Sequence, residues 1–213
     1  MTSIRPDLVR AIACGARDTH VLADRWLDQL VAAEDCVQGL THPFGFVTAF
    51  VDRLADGGHV RLHIWPKPLL ERQEPAWEIH SHQSRLCSYV LRGDITSTTF
   101  GVHPSTTGRH RLFRAQLHGE QSRLVATSER VELGSRHAAS YSRGDRYDIP
   151  LATFHTSALV SDGFGATLVV AGPPEGGGAL VVGEGDRDVV VRYERRPVSA
   201  ETMLEFLRRV LEG

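Results

Sequence analysis

The stretch Trp77-Glu-Ile-His80-Ser-His82-Gln-Ser-Arg-Leu86-Cys87-Ser-Tyr89-Val-Leu-Arg-Gly93 decides how this chain is read. It is strand-like, and it carries two histidines one residue apart. A strand turns residues i and i+2 to the same side, so His80 and His82 can aim two imidazoles at one point. Neutral imidazole is a common transition-metal ligand, suited to Fe, Zn, Cu and Ni. About seventy residues later comes Gly144-Asp-Arg-Tyr-Asp-Ile-Pro150-Leu-Ala-Thr-Phe-His155. Its glycine and proline make a turn, and the histidine follows at the start of the next strand.

Short strands surround both segments. Residues 60–65 alternate, with Val60, Leu62 and Ile64 on one face and Arg61, His63 and Trp65 on the other. Further strand-like runs are expected at 86–91, 95–102, 111–116, 124–133, 138–142, 146–149, 153–160, 166–170 and 189–193. Gly, Pro, Asp and Ser separate them at short intervals, which argues for a sandwich or barrel. The start of the chain reads differently. Residues 19–33 carry a helical stripe with Thr19 as a cap, and a second helical pattern is expected from about Phe46 to Leu54. Near the end, Ser199 caps a stripe of Met203, Leu204, Leu207, Val210 and Leu211, closed by Gly213. The Gly-rich run from Gly172 reads as a loop. The organisation expected is a helical segment over 1–58, a β-barrel over 59–195 and a C-terminal helix over 196–213.

The chain has 213 residues, 41% of them apolar, and a formal charge of -2. That describes an ordinary globular protein large enough for a proper core. Basic charge is not clustered, so neither nucleic acid nor a membrane surface is an expected partner. Lys67 is the only lysine, so any bound anion is expected on an arginine fork. Cys14, Cys36 and Cys87 form neither a disulfide framework nor a CxxC zinc knot. The first residues do not lead into a secretory apolar region, and no run is long and apolar enough for a membrane span. A reducing cytoplasm is the expected location.

Together the two histidine segments resemble the cupin family. Its first motif runs His-x-His, three or four residues, Glu, six residues, Gly; His80, His82 and Gly93 match it. Its second runs Gly, five residues, Pro, x, Gly, two residues, His, three residues, Asn; Gly144, Pro150 and His155 match it. The resemblance covers roughly residues 59–171. It implies a mainly β fold, the double-stranded β-helix barrel, with the metal held at His80, His82 and His155. It also implies a homodimer. The chain departs from the pattern at Ala152, where the family has glycine, and at Leu159, where it has asparagine. The glutamate is missing: Leu86 or Cys87 fills its slot, depending on the spacing counted.

A site of three histidines without glutamate resembles that of the thiol dioxygenases, the cupin branch typified by cysteine dioxygenase. The spacing of His82 and Cys87 and the upstream Trp65 fit that branch. Thr167, Val169 and Ala171 stand where that branch has its Ser-x-His-x-Tyr run, without the histidine and tyrosine. The metal triad therefore transfers more safely than the cysteine substrate does. The resemblance implies Fe(II), with Zn, Ni or Mn as other ions that three imidazoles suit.

Around the triad, Arg61, His63 and Trp65 form either a solvent face or a substrate shell. In the second case Arg61 clamps a carboxylate, His63 acts as acid or base and Trp65 is an indole wall. Leu86, Thr167 and Val169 join this candidate substrate shell. Cys87 is either a catalytic thiol or a small buried apolar residue. Tyr89 either donates to a bound oxygen species or is a buried strand tyrosine. Glu78, on the strand face of His80, is a candidate support for that ligand. His103, His110 and His118 fall near turns or strand ends and are expected to be exposed.

Three functions follow. The first is a mononuclear Fe(II) oxygenase that oxidises a small amino acid or thiol with O2. The second is a non-redox metal enzyme, an isomerase or lyase. The third is a non-enzymatic cupin that binds a small molecule; no DNA-binding helix pair or basic tail accompanies the barrel.

Overall fold

The computed structural model describes residues 3–33, 37–68, 70–160, 163–184 and 190–212. Two helices lead, α1 (Pro6–Cys14) and α2 (Thr19–Ala32). The strands β1 (Gly39–Thr41), β2 (Val47–Arg53), β3 (His59–Trp65), β4 (Leu86–Arg92) and β5 (Ile95–Pro104) follow. Next come β6 (His110–His118), β7 (Gln121–Tyr141), β8 (Arg146–Ile149), β9 (Phe154–Leu159) and β10 (Gly165–Ala171). The chain finishes with β11 (Leu180–Glu184), β12 (Val190–Glu194), β13 (Pro197–Val198) and α3 (Ala200–Leu211).

All strand pairs are antiparallel, and they form two sheets. One runs β13-β1-β2-β3-β10-β4-β8, the other β11-β6-β7-β5-β9. A short extended segment at His80 bridges β9 on one side and β11 on the other. Number β3, the His80 segment, β4, β5, β7, β8, β9 and β10 from one to eight, setting β6 aside as the hairpin partner of β7. The sheets then run 1-8-3-6 and 2-7-4-5, the order of two interlocked Greek keys. This is the mainly β barrel, helices at both ends, that the sequence led us to expect.

The first sheet is covered on its outer side by the helices. Leu8 and Ile12 of α1, Trp26, Leu27 and Leu30 of α2, and Met203 and Leu207 of α3 share one buried cluster with Val47, Ala49, Leu62, Leu168 and Cys87. Each such buried aliphatic side chain contributes about 2 kcal/mol. The Ser199 side chain accepts from the Thr202 N–H, so the expected cap of α3 is in place. Two turn glycines fit the motif pattern. Gly93 sits at φ 73°, and a Cβ there would lie 2.5 Å from the Phe164 carbonyl; Gly144 sits at φ 91°.

Several expectations need correction. Residues 46–54 do not form a helix; they hold β2. Val47, Ala49 and Val51 pack toward the helices, while Phe46 and Thr48 face the barrel interior. Burial on both faces at Val47, Thr48 and Ala49 removes the alternation that would have marked the start of a strand. Asp18, not Thr19, is the N-cap of α2, and the Thr19 hydroxyl donates to the Ala16 carbonyl at 2.6 Å. Runs 124–133 and 138–142 form one continuous strand, β7. The helix α1 and the strands β1, β11 and β13 add to the pattern read from sequence. Cys36, Val189 and Gly213 lie outside the described residues.

Candidate metal centre

The two histidine motifs meet through their backbones. The His80 N–H donates to the His155 carbonyl at 3.1 Å, and the His155 N–H returns to the His80 carbonyl at 2.9 Å. The other edge of the His80 segment is held by Ser81 N–H to Leu180 O and Val182 N–H to Ile79 O, both 2.8 Å. This pairing brings the three rings together. Ring centroids of His80 and His82 lie 4.8 Å apart, His80 and His155 4.6 Å, His82 and His155 5.0 Å. One ligand atom from each lies within 4.8 Å of the others, a group that could hold a metal ion.

The protonation states suit a metal. The Nδ1 of His80 donates to the Glu78 carbonyl at 2.7 Å, which leaves Nε2 with its lone pair free. Burial pushes His155 down to about 3, helped by the charge of His80. Burial likewise holds His80 below, and His82 well below, the usual histidine range. All three are thus neutral imidazoles at pH 7, the ligating form. The buried Nδ1 of His155 makes no hydrogen bond among the described residues. The donor set fits one transition ion bound by nitrogen alone.

The histidines open into a cavity of about 360 Å³ between the two sheets. Arg61, His63 and Trp65 turn into it, as do Leu86 and Val169. That β3 face therefore lines an internal cavity and is not an outer solvent face. Burial, then the nearby Arg61 charge, pushes His63 down to about 3. Thr167 does not line the cavity; it is fully buried, and its hydroxyl has no hydrogen-bond partner among the described residues.

Cys87 and Tyr89 do not join the site. Both lie on the opposite face of β4, in the cluster under the helices. The Cys87 thiol donates to the Ile12 carbonyl at 3.5 Å and accepts from the Arg146 Nε at 2.9 Å. Burial pushes its pKa up despite that contact. Strand parity gives the reason: Leu86 and Ser88 face inward, so Cys87 and Tyr89 face outward. Leu86 is thus the cavity residue at the glutamate slot. Glu78 supports His80 through its carbonyl, not its carboxylate, which pairs with Arg72 at 2.5 Å. His103 and His118 are exposed, and His110 is half-buried.

Other cavity residues escaped the sequence reading. The turn between β1 and β2 supplies His42, Phe44 and Phe46. The His42 and Phe46 rings stack at 4.2 Å, Phe46 lies 5.2 Å from Trp65, and Phe44 lies 5.4 Å from His80. The ring-rich run His42-Pro-Phe44-Gly-Phe46 was a usable signal, obscured by reading Phe46 into a helix. Arg195, beyond β12, also lines the cavity and carries no local motif at all.

No protein-family model matches the chain, and no curated protein does. Several solved structures are similar. A Lactobacillus farciminis oxalate decarboxylase, as a formate complex, aligns over 63% of this chain and 31% of its own, at 14% identity and a TM-score of 0.38. CapF with the inhibitor 3-isopropenyl-tropolone aligns over 78% and 41%, at 10% identity and 0.40. An 11S globulin from Wrightia tinctoria aligns over 65% and 33%, at 11% identity and 0.36. The chain thus spans about a third to two fifths of the length of these structures. Likeness of this degree carries no information on substrate or reaction. The two histidine motifs, and the strand order that brings them together, support the cupin superfamily.

Proposed function

We propose that this protein is a mononuclear non-haem Fe(II) cupin oxygenase, thiol-dioxygenase-like, acting on a small amino acid or thiol with O2. The observation that carries the reading is the all-nitrogen triad. Leu86, not a carboxylate, faces the cavity at the motif's glutamate slot, and Glu78, the one acidic side chain lining the cavity among the described residues, is engaged by Arg72. When bound, Fe(II) supplies a redox-active cation whose charge three neutral imidazoles leave undiminished, with positions open to small ligands.

The chain's own residues set the rest. His80, His82 and His155 hold the ion, and the Glu78 carbonyl fixes the His80 tautomer. Arg61 binds an anionic group on the substrate. His63, neutral at pH 7, holds a hydrogen bond in the cavity without storing a proton. The Phe44, Phe46 and Trp65 rings exclude water from the reacting end. For a thiol substrate the sulfur yields four electrons and gains both oxygen atoms as a sulfinate, so no organic cosubstrate is consumed.

The test is metal analysis of protein purified without chelators, then oxygen uptake against a panel of amino acids and thiols. Iron near one per chain and substrate-dependent oxygen consumption are expected. Turnover that persists under strict anaerobiosis would replace this reading with Lewis-acid chemistry at the same triad. Full turnover by His155→Ala would end both.

A further inference from the structure

Three arginines line the cavity: Arg72, which pairs with Glu78, and Arg61 and Arg195, which meet no carboxylate among the described residues. Arg61 stands on β3, paired through its backbone with Phe50 of β2 and Val169 of β10. Arg195 arrives from the short link between β12 and β13, outside the barrel strands. That link is pinned along its length. The Tyr193 hydroxyl donates to the Pro75 carbonyl at 2.6 Å. The Gln73 amide brackets Glu194, donating to its carbonyl at 2.5 Å and accepting from its N–H at 2.9 Å. The Arg195 N–H donates to the Glu120 carbonyl at 2.6 Å, and the Arg196 N–H to the Thr41 hydroxyl at 2.9 Å.

The backbone at Arg195 is therefore fixed, and its side chain lines the cavity. Its Nε is fully buried and makes no hydrogen bond among the described residues. Burial lowers the pKa of both arginines, and the Arg195 charge lowers that of Arg61 further. Both side chains line the same cavity. Glu78, the acid on the cavity wall, is already neutralised by Arg72. Two like charges facing one partly desolvated space are unfavourable until an anion lies between them.

We propose that Arg195 completes, with Arg61, an anion subsite beside the three histidines, and that the ligand is a small organic acid with an apolar body. Two planar forks match a carboxylate. The rings of Phe44, Phe46 and Trp65, with Leu86 and Val169, supply an apolar wall for the rest. Naming this ligand the substrate rests on the function proposed above. The anion subsite itself needs no metal.

The experiment measures the melting temperature and affinity of the full chain with 3-phenylpropionate, with its neutral amide, and with inorganic phosphate. The acid is expected to stabilise the protein, and the amide is not. Arg61→Met and Arg195→Met are each expected to weaken acid binding about tenfold or more. Without ligand, both variants are expected to melt at or above the wild-type temperature, because a repulsion is removed; a purely structural arginine would give the opposite. Arg195→Lys, which keeps the charge and loses the fork, is expected to fold and bind more weakly, and decides the matter if Arg195→Met fails to fold. His155→Ala is expected to lose metal and keep acid binding. That result separates failure of the metal reading from failure of the subsite. The subsite is overturned by no response to the acid, by equal responses in wild type and arginine variants, or by loss of response in His155→Ala alone. A response to phosphate alone overturns the organic-acid assignment.

Discussion

His80 and His155 are hydrogen-bonded to each other twice through their backbones, at 3.1 and 2.9 Å, with ring centroids 4.6 Å apart. Two motifs far apart in sequence are thus neighbours by strand pairing, and neither bond needs an imidazole. Removing a ring should therefore remove the metal without dismantling the fold. For His155→Ala we expect metal content to fall about tenfold or more with little change in circular dichroism. Retention of a full metal complement, read by elemental analysis, would contradict the triad.

Leu86 lines the cavity in the slot where the motif carries glutamate. Leu86→Glu should offer a bound ion an anionic ligand, whose burial the cation offsets. Tighter metal binding and slower turnover are expected, because one open position is occupied. A metal titration showing weaker binding than wild type would count against Leu86 as a neighbour of the ion.

Cys87 and Tyr89 pack beneath the helices, away from the cavity. Cys87→Ala should leave metal content and turnover unchanged and cost about 1 kcal/mol, the scale of a small deletion in a core. Abolished turnover with normal metal loading would put the thiol back in the site.

Ala152 occupies the left-handed region at φ 58°, at the motif position where the family has glycine. A Cβ there costs about 1–2 kcal/mol. Glycine would relieve that and lose part of the gain to its freer unfolded chain. Ala152→Gly is expected to stabilise by about 0.5 kcal/mol in urea unfolding. Destabilisation by more than about 1 kcal/mol would show that the methyl packs usefully.

His63 is held neutral by burial, its pKa near 3, and His59 is lowered to about 4. Unfolding restores both toward the ordinary value of about 6.5. Below that pH the unfolded chain takes up protons that the folded chain refuses. Stability is therefore unaffected above about pH 6.5 and falls as pH drops toward 3–4. His63 alone accounts for roughly 2 kcal/mol between pH 7 and pH 5. The urea midpoint of chelated protein should drop over that interval and drop less in His63→Gln. A flat profile in wild type would refute the buried neutral ring.

The sequence was informative where chemistry and period coincided. His-x-His on an extended segment, Gly144 and Pro150 before His155, and the alternation of β3 all follow from local rules. The inner face of β3 was legible because Arg61, His63 and Trp65 alternate with Val60, Leu62 and Ile64. In β4 the cue failed. All but its last residue are buried, because helices cover one side and the cavity the other. Leu86, Cys87 and Tyr89 could then all be named for the site, although parity forbids all three from facing it. The same double burial disguised the first half of β2. Arg195 was invisible for another reason: only tertiary folding carries it from the far end of the chain into the barrel.

The His80 segment joins β9 to β11, so the hydrogen-bonded path through β11, β6, β7, β5 and β9 returns to its start. A circuit has no outermost strand of its own, although β12 branches from it by pairing with the start of β7. Outermost strands present vacant amides to foreign chains and are natural starting points for aggregation. The strands within the circuit are spared this exposure. The other sheet does end in open strands, and they are the four-residue β8 and the two-residue β13, which begins with Pro197. Shortness and proline are both known guards against unwanted strand addition, so stickiness is curbed on both walls of the barrel by different means.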